Sequence, residues 1–204
     1  INNAMLEVFS EYKNFRYELG THINHPVEFW EESVASIKRL QSVGFRIYNQ
    51  NPLLKGVNDD FETLSELYSN LRDYDIESHY LFHAVPLRGM KHHRTSVKKG
   101  IDLSNALSSC GEFSGRAKAK YCILSDIGKI IVYHDTIVDK RQKDNSILLK
   151  SGFNIEKRLK WNPSWKKPDS VELDEDGTMY VWYLDGSDEK IEDIKKEIPL
   201  SIQI

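Results

Sequence analysis

In "FRYELGTHINHPVEFWEESVASIKRLQSVG", residues Phe15–Gly44, an apolar run over Phe15–Leu19 reads as a strand and stops at Gly20. A polar corner holding His22 and His25 follows. Pro26 then stands at a first helical position, and Trp30, Val34, Ile37 and Leu40 recur at near-helical spacing as far as Gly44. The order is strand, loop, helix.

That order returns twice. "FRIYNQ" from Phe45 predicts a short strand, "NPLLKGVND" a loop, and Asp59 with Glu62 three residues on a capping box for a helix burying Leu64, Leu67, Tyr68 and Leu71. "SHYLFHAV" from Ser78 is strand-like and "PLRGMKHHR" is loop. Thr95 then caps a helix carrying Val97, Ile101 and Leu107. Three such units with short helix-to-strand returns imply parallel strands joined by right-handed crossovers, hence an α/β barrel or a doubly wound sheet. Periodicity alone does not choose between them.

After Gly115 the pattern turns to strands: "KAKYCIL", "KIIVYH", "SILLKSG", and "VELDEDGTMYVWYLDG" with Asp176-Gly177 as a hairpin signal. The expected organisation is an α/β part over residues 1–115, a β-rich appendage over 116–190 and a charged tail over 191–204. Trp161, Trp165 and Trp182 fall in the appendage and suit packing of a small sheet. "DEKIEDIKKE" is a helix candidate whose simplest reading is a solvated face. At the other end, "INNAMLEVFS" reads as helix with Met5, Leu6 and Phe9 on one face. Starting without Met, it suggests a chain whose upstream part is missing.

Composition is that of a globular protein, 40% hydrophobic and 29% charged over 204 residues. A net charge of -3 gives no reason to expect nucleic acid or an anionic membrane as partner. No apolar run approaches the ~20 residues that cross a bilayer. Cys110 and Cys122 are too far apart for a C-x-x-C motif, and no secretory leader is visible, so a cytoplasmic protein is expected.

In parallel α/β folds reactive groups follow the carboxyl ends of strands. That rule selects His22 and His25, Asn49 and Gln50, and His83 as a rim able to hydrogen-bond a polar cofactor; the structural alternative is that each caps loop backbone. Zinc on His22, His25 and His83 is disfavoured because Pro26 removes the helical geometry that would converge the imidazoles. His92, His93 and Arg94 could meet phosphate or acidic groups, or simply form a polar loop. Lys129, after Gly128 in "SDIGKIIV", is placed to be a partly buried amine that attacks carbonyls, although lysines before strands are common.

Three stretches together resemble the lysine 2,3-aminomutase family of radical S-adenosylmethionine enzymes over approximately Leu6 to Lys129. "THINHP" is similar to the family's T-H-F-N-H-P, "NQNPLLKGVND" to N-Q-x-x-L-L-x-G-V-N-D, and "HHRTSVKKGIDL" to H-F-R-T-P-V-x-x-G-I-E-I. The resemblance implies the C-terminal part of a partial (β/α) TIM-like barrel. In such enzymes a 4Fe-4S cluster cleaves S-adenosylmethionine to a radical, and the amino group of an amino acid held by pyridoxal 5′-phosphate migrates to the neighbouring carbon. By position, His22, Gln50 and the adjoining Asn49 become cofactor contacts and Lys129 the pyridoxal phosphate lysine. Val85, Cys122 and His83 fall at the substrate pocket.

Departures from the family pattern matter equally. The C-x-x-x-C-x-x-C cluster loop is absent, so its ligands are expected upstream and no metal-binding residue is assigned. The family's glycine run is reduced to Gly128 behind Ser125, Asp126 and Ile127. Val85 and Cys122 stand where two aspartates receive the distant amine of lysine, so the expected small-molecule substrate is another amino acid. Two alternatives are a radical enzyme of the same family without pyridoxal phosphate, and a cofactor-free scaffold. A half barrel also implies an unpaired edge at the first strand and self-association, hence a homo-oligomer.

Overall fold

The computed structural model describes residues 1–12, 14–113 and 117–189. They divide into two compact units. The first comprises Ile1–Leu53, Val57–Leu81 and Leu103–Lys120; the second comprises Leu54–Gly56, Phe82–Asp102 and the chain from Tyr121 onward.

The first unit opens with α1, Asn3–Glu11, whose N-terminus is capped by the Asn2 side chain accepting from Met5 N at 2.9 Å. Its Phe9 ring meets Tyr17 and Phe45 edge-on at 5.0 and 4.8 Å. Strand β1, Tyr17–Thr21, pairs in parallel with β2, Phe45–Leu53, from Tyr17 opposite Phe45 to Thr21 opposite Asn49. Alternation along β2 puts Ile47, Asn49, Asn51 and Leu53 on the buried face. In the strand order β1-β2-β3, β3 spans Ile76–His83. Among the described residues β2 is the one strand beside β1, which makes β1 an edge of that order.

Two crossover helices join these strands. Pro26 begins a 3-10 turn, Pro26–Glu28, and not the helix itself; α2 follows at Glu31–Ser42 and buries Ile37 and Leu40. Trp30, placed on the helix face by its spacing, lies before α2 and is 55% exposed. Helix α3, Phe61–Asp73, buries Leu64, Leu67, Tyr68 and Leu71 as its periodicity predicts. Its cap is Asp60, which accepts from Thr63 N at 2.8 Å, so the cap lies one residue beyond Asp59. The returns to β2 and β3 pass through Gly44 and Asp75, both at positive φ.

In the second unit α4, Val97–Ser109, contributes its first turns. Strands β4, Lys120–Ser125, and β5, Gly128–Ile131, form an antiparallel hairpin. A separate antiparallel sheet has the order β6-β7-β9-β8, with β6 at Ile137–Arg141, β7 at Ser146–Asn154, β8 at Val171–Leu173 and β9 at Thr178–Leu184. Gly177, with φ +79, turns β8 into β9 as the Asp-Gly dipeptide predicts. Ile147, Leu149, Val171, Met179 and Val181 form the buried face of this sheet.

Between β7 and β8 lies α5, Ile155–Trp161, capped by the Asn154 side chain accepting from Glu156 N at 3.0 Å. Neither α5 nor the mostly exposed β6 announces itself through hydrophobic alternation. Trp161 is 88% exposed and does not pack the sheet, in contrast to the sequence expectation. Trp182 is stacked by the Arg141 guanidinium 4.0 Å from its ring centroid, and Arg158 lies 5.4 Å from the Trp165 ring. Lys190 onward, with most of the charged helix candidate, lies outside the described residues.

Candidate functional site

The β4-β5 hairpin positions Lys129. Leu124 stands opposite Lys129 and Ser125 opposite Gly128, which leaves Asp126 and Ile127 as a two-residue turn. Gly128 has φ +120, a backbone state that a side chain would strain. The Ser125 hydroxyl donates to the Gly128 carbonyl at 2.8 Å, and Ile127 is buried beneath the turn. A tight hairpin thus carries Lys129, in keeping with the reduction of the glycine run to Gly128.

Lys129 itself is exposed, not partly buried: β5 presents its stem beside Leu124, which is 43% exposed. Its Nζ lies 5.3 Å from the Phe82 ring centroid. Cys122, two residues before Leu124 and on the same side of β4, is fully buried. Burial pushes its thiol up to about 11, with the Lys129 ammonium pulling the other way. A cavity of about 420 Å³ is lined by Lys129, Tyr133, Asp135, Thr136, Lys150 and Phe153, among others. Val85 is half-buried and lines a different cavity of about 410 Å³ with Leu124, Trp182 and Tyr183. Neither Val85 nor neutral Cys122 offers charge to an ammonium.

His83, expected at the substrate pocket, is instead sealed in the core with both nitrogens engaged. Nε2 lies 2.9 Å from the Thr95 carbonyl, which can only accept, so Nε2 carries the proton; Nδ1 accepts from the Tyr183 hydroxyl at 2.8 Å. Burial drives the ring down to about 4, so it is a neutral strut at physiological pH.

The loop before α4 is a buried electrostatic joint that sequence reasoning missed. Arg94 is 2% exposed and donates to the carbonyls of Ala84 at 2.8 Å, Leu184 at 2.6 Å and Asp185 at 3.1 Å. Asp185 Oδ1 accepts from Val97 N at 2.7 Å, and Asp188 accepts from Ser96 N at 2.8 Å, so carboxylates distant in sequence cap α4. The local cap is Ser96, accepting from Lys99 N at 3.0 Å, whereas the Thr95 hydroxyl is buried without a hydrogen-bond partner among the described residues. Gly186 lies so close that a Cβ there would sit 1.8 Å from the Thr95 carbonyl oxygen.

In the first unit the histidine corner separates into two roles. His25 Nδ1 accepts from Val27 N at 3.2 Å, while the Glu28 carboxylate accepts from the Asn24 and His25 backbones at 2.8 and 3.0 Å. His25 therefore shapes the turn at Pro26. Asn49 is equally occupied: its oxygen accepts from Ile23 N at 2.8 Å and Thr21 Oγ1 at 3.0 Å, and its amide donates to the Ile23 carbonyl at 2.9 Å. It ties β2 to the corner and has little left for a cofactor. His22 is exposed and Gln50 half-buried, on the opposite side of β2 from Asn49.

An iron-sulfur cluster does not fit. Among the described residues no group of three His, Cys, Asp or Glu side chains is placed to hold a metal ion, and two cysteines cannot supply the thiolates. Residue types that suit pyridoxal phosphate line one cavity at Lys129: a second lysine, Lys150, a carboxylate, Asp135, and the aromatic residues Tyr133 and Phe153.

No protein-family model matches the chain. It is 34% identical, over 60% of its length and 32% of the relative's, to an Aquifex aeolicus (strain VF5) protein assigned by name to the L-lysine 2,3-aminomutases. Identity is 36% to the L-lysine 2,3-aminomutase of Clostridium subterminale and 32% to the glutamate 2,3-aminomutase of Clostridioides difficile (strain 630). Each match covers 52% of this chain and 24% of the relative. A radical SAM methyltransferase from Sphaerobacter thermophilus shares 15% identity over 60% of this chain and 39% of that one, at a TM-score of 0.38, too weak a likeness to build on. Over the matched 60% of its length the chain is similar to this L-lysine 2,3-aminomutase-named protein, and it spans about a third of that relative's length.

Proposed function

We propose that the chain is part of a radical S-adenosylmethionine enzyme of the aminomutase type, built on part of a (β/α) barrel. Its reaction moves an amino group between adjacent carbons of an amino acid other than lysine. The carrying observation is the likeness, over about half of the chain or more, to aminomutases named for lysine and for glutamate. Pyridoxal phosphate, when bound, supplies electron delocalisation, and S-adenosylmethionine with an iron-sulfur cluster supplies the radical. No step of the cluster's chemistry is assigned to residues of this chain.

What the chain itself contributes is positioning. Lys129 offers its amine from a hairpin whose turn is fixed by Gly128 and Ser125, beside the Phe82 ring. Cys122 is buried and Val85 half-buried, and neither carries a charge, so a substrate with a distant ammonium finds no counter-charge from them. His22 and Gln50 are the proposed S-adenosylmethionine contacts.

Adding pyridoxal phosphate to the chain should produce a visible absorbance band that Lys129→Ala abolishes; an identical band in both proteins would remove Lys129 from the reading. In a complex supplied with the cluster-bearing part of the family's fold, the product should be a β-amino acid. The tight turn that replaces the glycine run favours a second reading, radical chemistry without pyridoxal phosphate. That reading predicts no band in either protein.

A further inference from the structure

Resting on the assignment of pyridoxal phosphate to Lys129, we infer that Lys150, which lines the same cavity, is the cation that holds the cofactor's phosphate. The cavity volume of about 420 Å³ suits a small aromatic ligand, and its lining supplies complementary chemistry. Lys129 is the amine for the aldehyde, Tyr133 and Phe153 are rings for the pyridine face, and Asp135 is a carboxylate for the ring nitrogen. A phosphate dianion needs a further positive charge, and of the residues lining this cavity only Lys150 remains to provide it.

The backbone around Lys150 is held and then released. Lys150 N donates to the Thr136 carbonyl at 2.8 Å, and Thr136 Oγ1 accepts from Tyr133 N at 2.8 Å, so the segment carrying Tyr133 and Asp135 is tied to β7 at this residue. Immediately afterwards the register between β7 and β9 shifts, between Lys150 and Asn154. Gly152, within that irregularity, has open space where a Cβ would stand. The ladder is thus interrupted just after Lys150, leaving room for a group that approaches the backbone.

The Lys150 ammonium already has a weaker suitor. It helps to hold the exposed Asp176 carboxyl below the usual range, behind the larger effect of hydrogen bonds from Thr178. A solvated carboxylate is readily outcompeted by a dianion that is covalently anchored nearby.

The test compares pyridoxal phosphate with pyridoxal on the full chain. In both ligands the Lys129 amine condenses with the aldehyde carbon, and the carbonyl oxygen leaves as water. Borohydride then donates hydride to the new C=N bond and fixes the adduct for mass spectrometry. Unaltered protein should be labelled at Lys129 at lower concentrations of pyridoxal phosphate than of pyridoxal. Lys150→Ala should lower that preference about tenfold, Lys150→Arg should retain it, and Asp176→Asn should increase it. High salt should erode the preference while leaving labelling by pyridoxal unchanged. If Lys150→Ala keeps the full preference while Lys129 is still labelled, the phosphate assignment is overturned and the reading of Lys129 survives. Absence of label at Lys129 with both ligands overturns both.

Discussion

At the scale of single residues, His83 shows how far chemistry and position can diverge. An imidazole at the carboxyl end of a strand invites a catalytic reading, yet its ring is wedged between the Thr95 carbonyl and the Tyr183 hydroxyl. Its folded pKa, about 4, lies below the ordinary 6.5, so between those values the unfolded chain binds a proton that the folded chain refuses. The stabilisation is fully present above pH 6.5 and is lost as pH falls toward 4. It amounts to roughly 3 kcal/mol at full extent. Urea midpoints measured from pH 7 to pH 4 should fall accordingly, and His83→Gln should flatten that slope. An unchanged slope in the variant would assign the acid sensitivity elsewhere.

Element by element, the amphipathic segments were legible in the sequence. The buried faces of α2 and α3 follow from spacing, and the β8-β9 turn follows from Asp176-Gly177. Caps were displaced by one residue where two competent side chains adjoin, Asp59 with Asp60 and Thr95 with Ser96, because tertiary packing decides between equals. Arg94 was legible as a phosphate contact or a polar-loop residue of "HHRT", and its buried role was not. Its partners are carbonyls of Ala84, Leu184 and Asp185, and sequence encodes no side-chain signal for a carbonyl. Lys129 was found by resemblance more than by pattern, and Lys150 was invisible until the hairpin and β7 were placed.

Gly100 gives an element-scale prediction. It lies in the first turns of α4, where alanine ordinarily gains about 1 kcal/mol of helix stability. A Cβ there would sit 2.1 Å from the Tyr121 ring carbon bearing the hydroxyl, so this contact forces the ring or the helix to move. Gly100→Ala should therefore destabilise, by about 1–3 kcal/mol as an overpacking change. Combined with Tyr121→Val, it should cost clearly less than the two single changes added together. Denaturant curves of all four proteins provide the double-mutant cycle.

For the whole molecule, the division into units is not a division of the sequence. The second unit takes Leu54–Gly56 and Phe82–Asp102 along with the chain after Lys120. Residues 121–189 alone would lose Arg94 from the carbonyls of Leu184 and Asp185, His83 from Tyr183, and the α4 backbone from Asp185 and Asp188. Such a peptide should show poor amide dispersion by NMR and no cooperative thermal transition, whereas the full chain should melt cooperatively. A well-dispersed spectrum from the peptide would show that those contacts are dispensable.

The two-residue turn at Asp126 and Ile127 has a last consequence, for how this protein can change. Side chains on a strand alternate, so the side of the hairpin that Lys129 occupies is set by counting from that turn. Adding or deleting one residue in the turn would exchange Lys129 with buried Ile130, placing an ammonium in the core and an isoleucine on the exposed side of the hairpin. Substitutions around the lysine can alter selectivity by degrees, but a length change in the turn acts as a parity switch, and divergence here should proceed by exchange of residues at constant length.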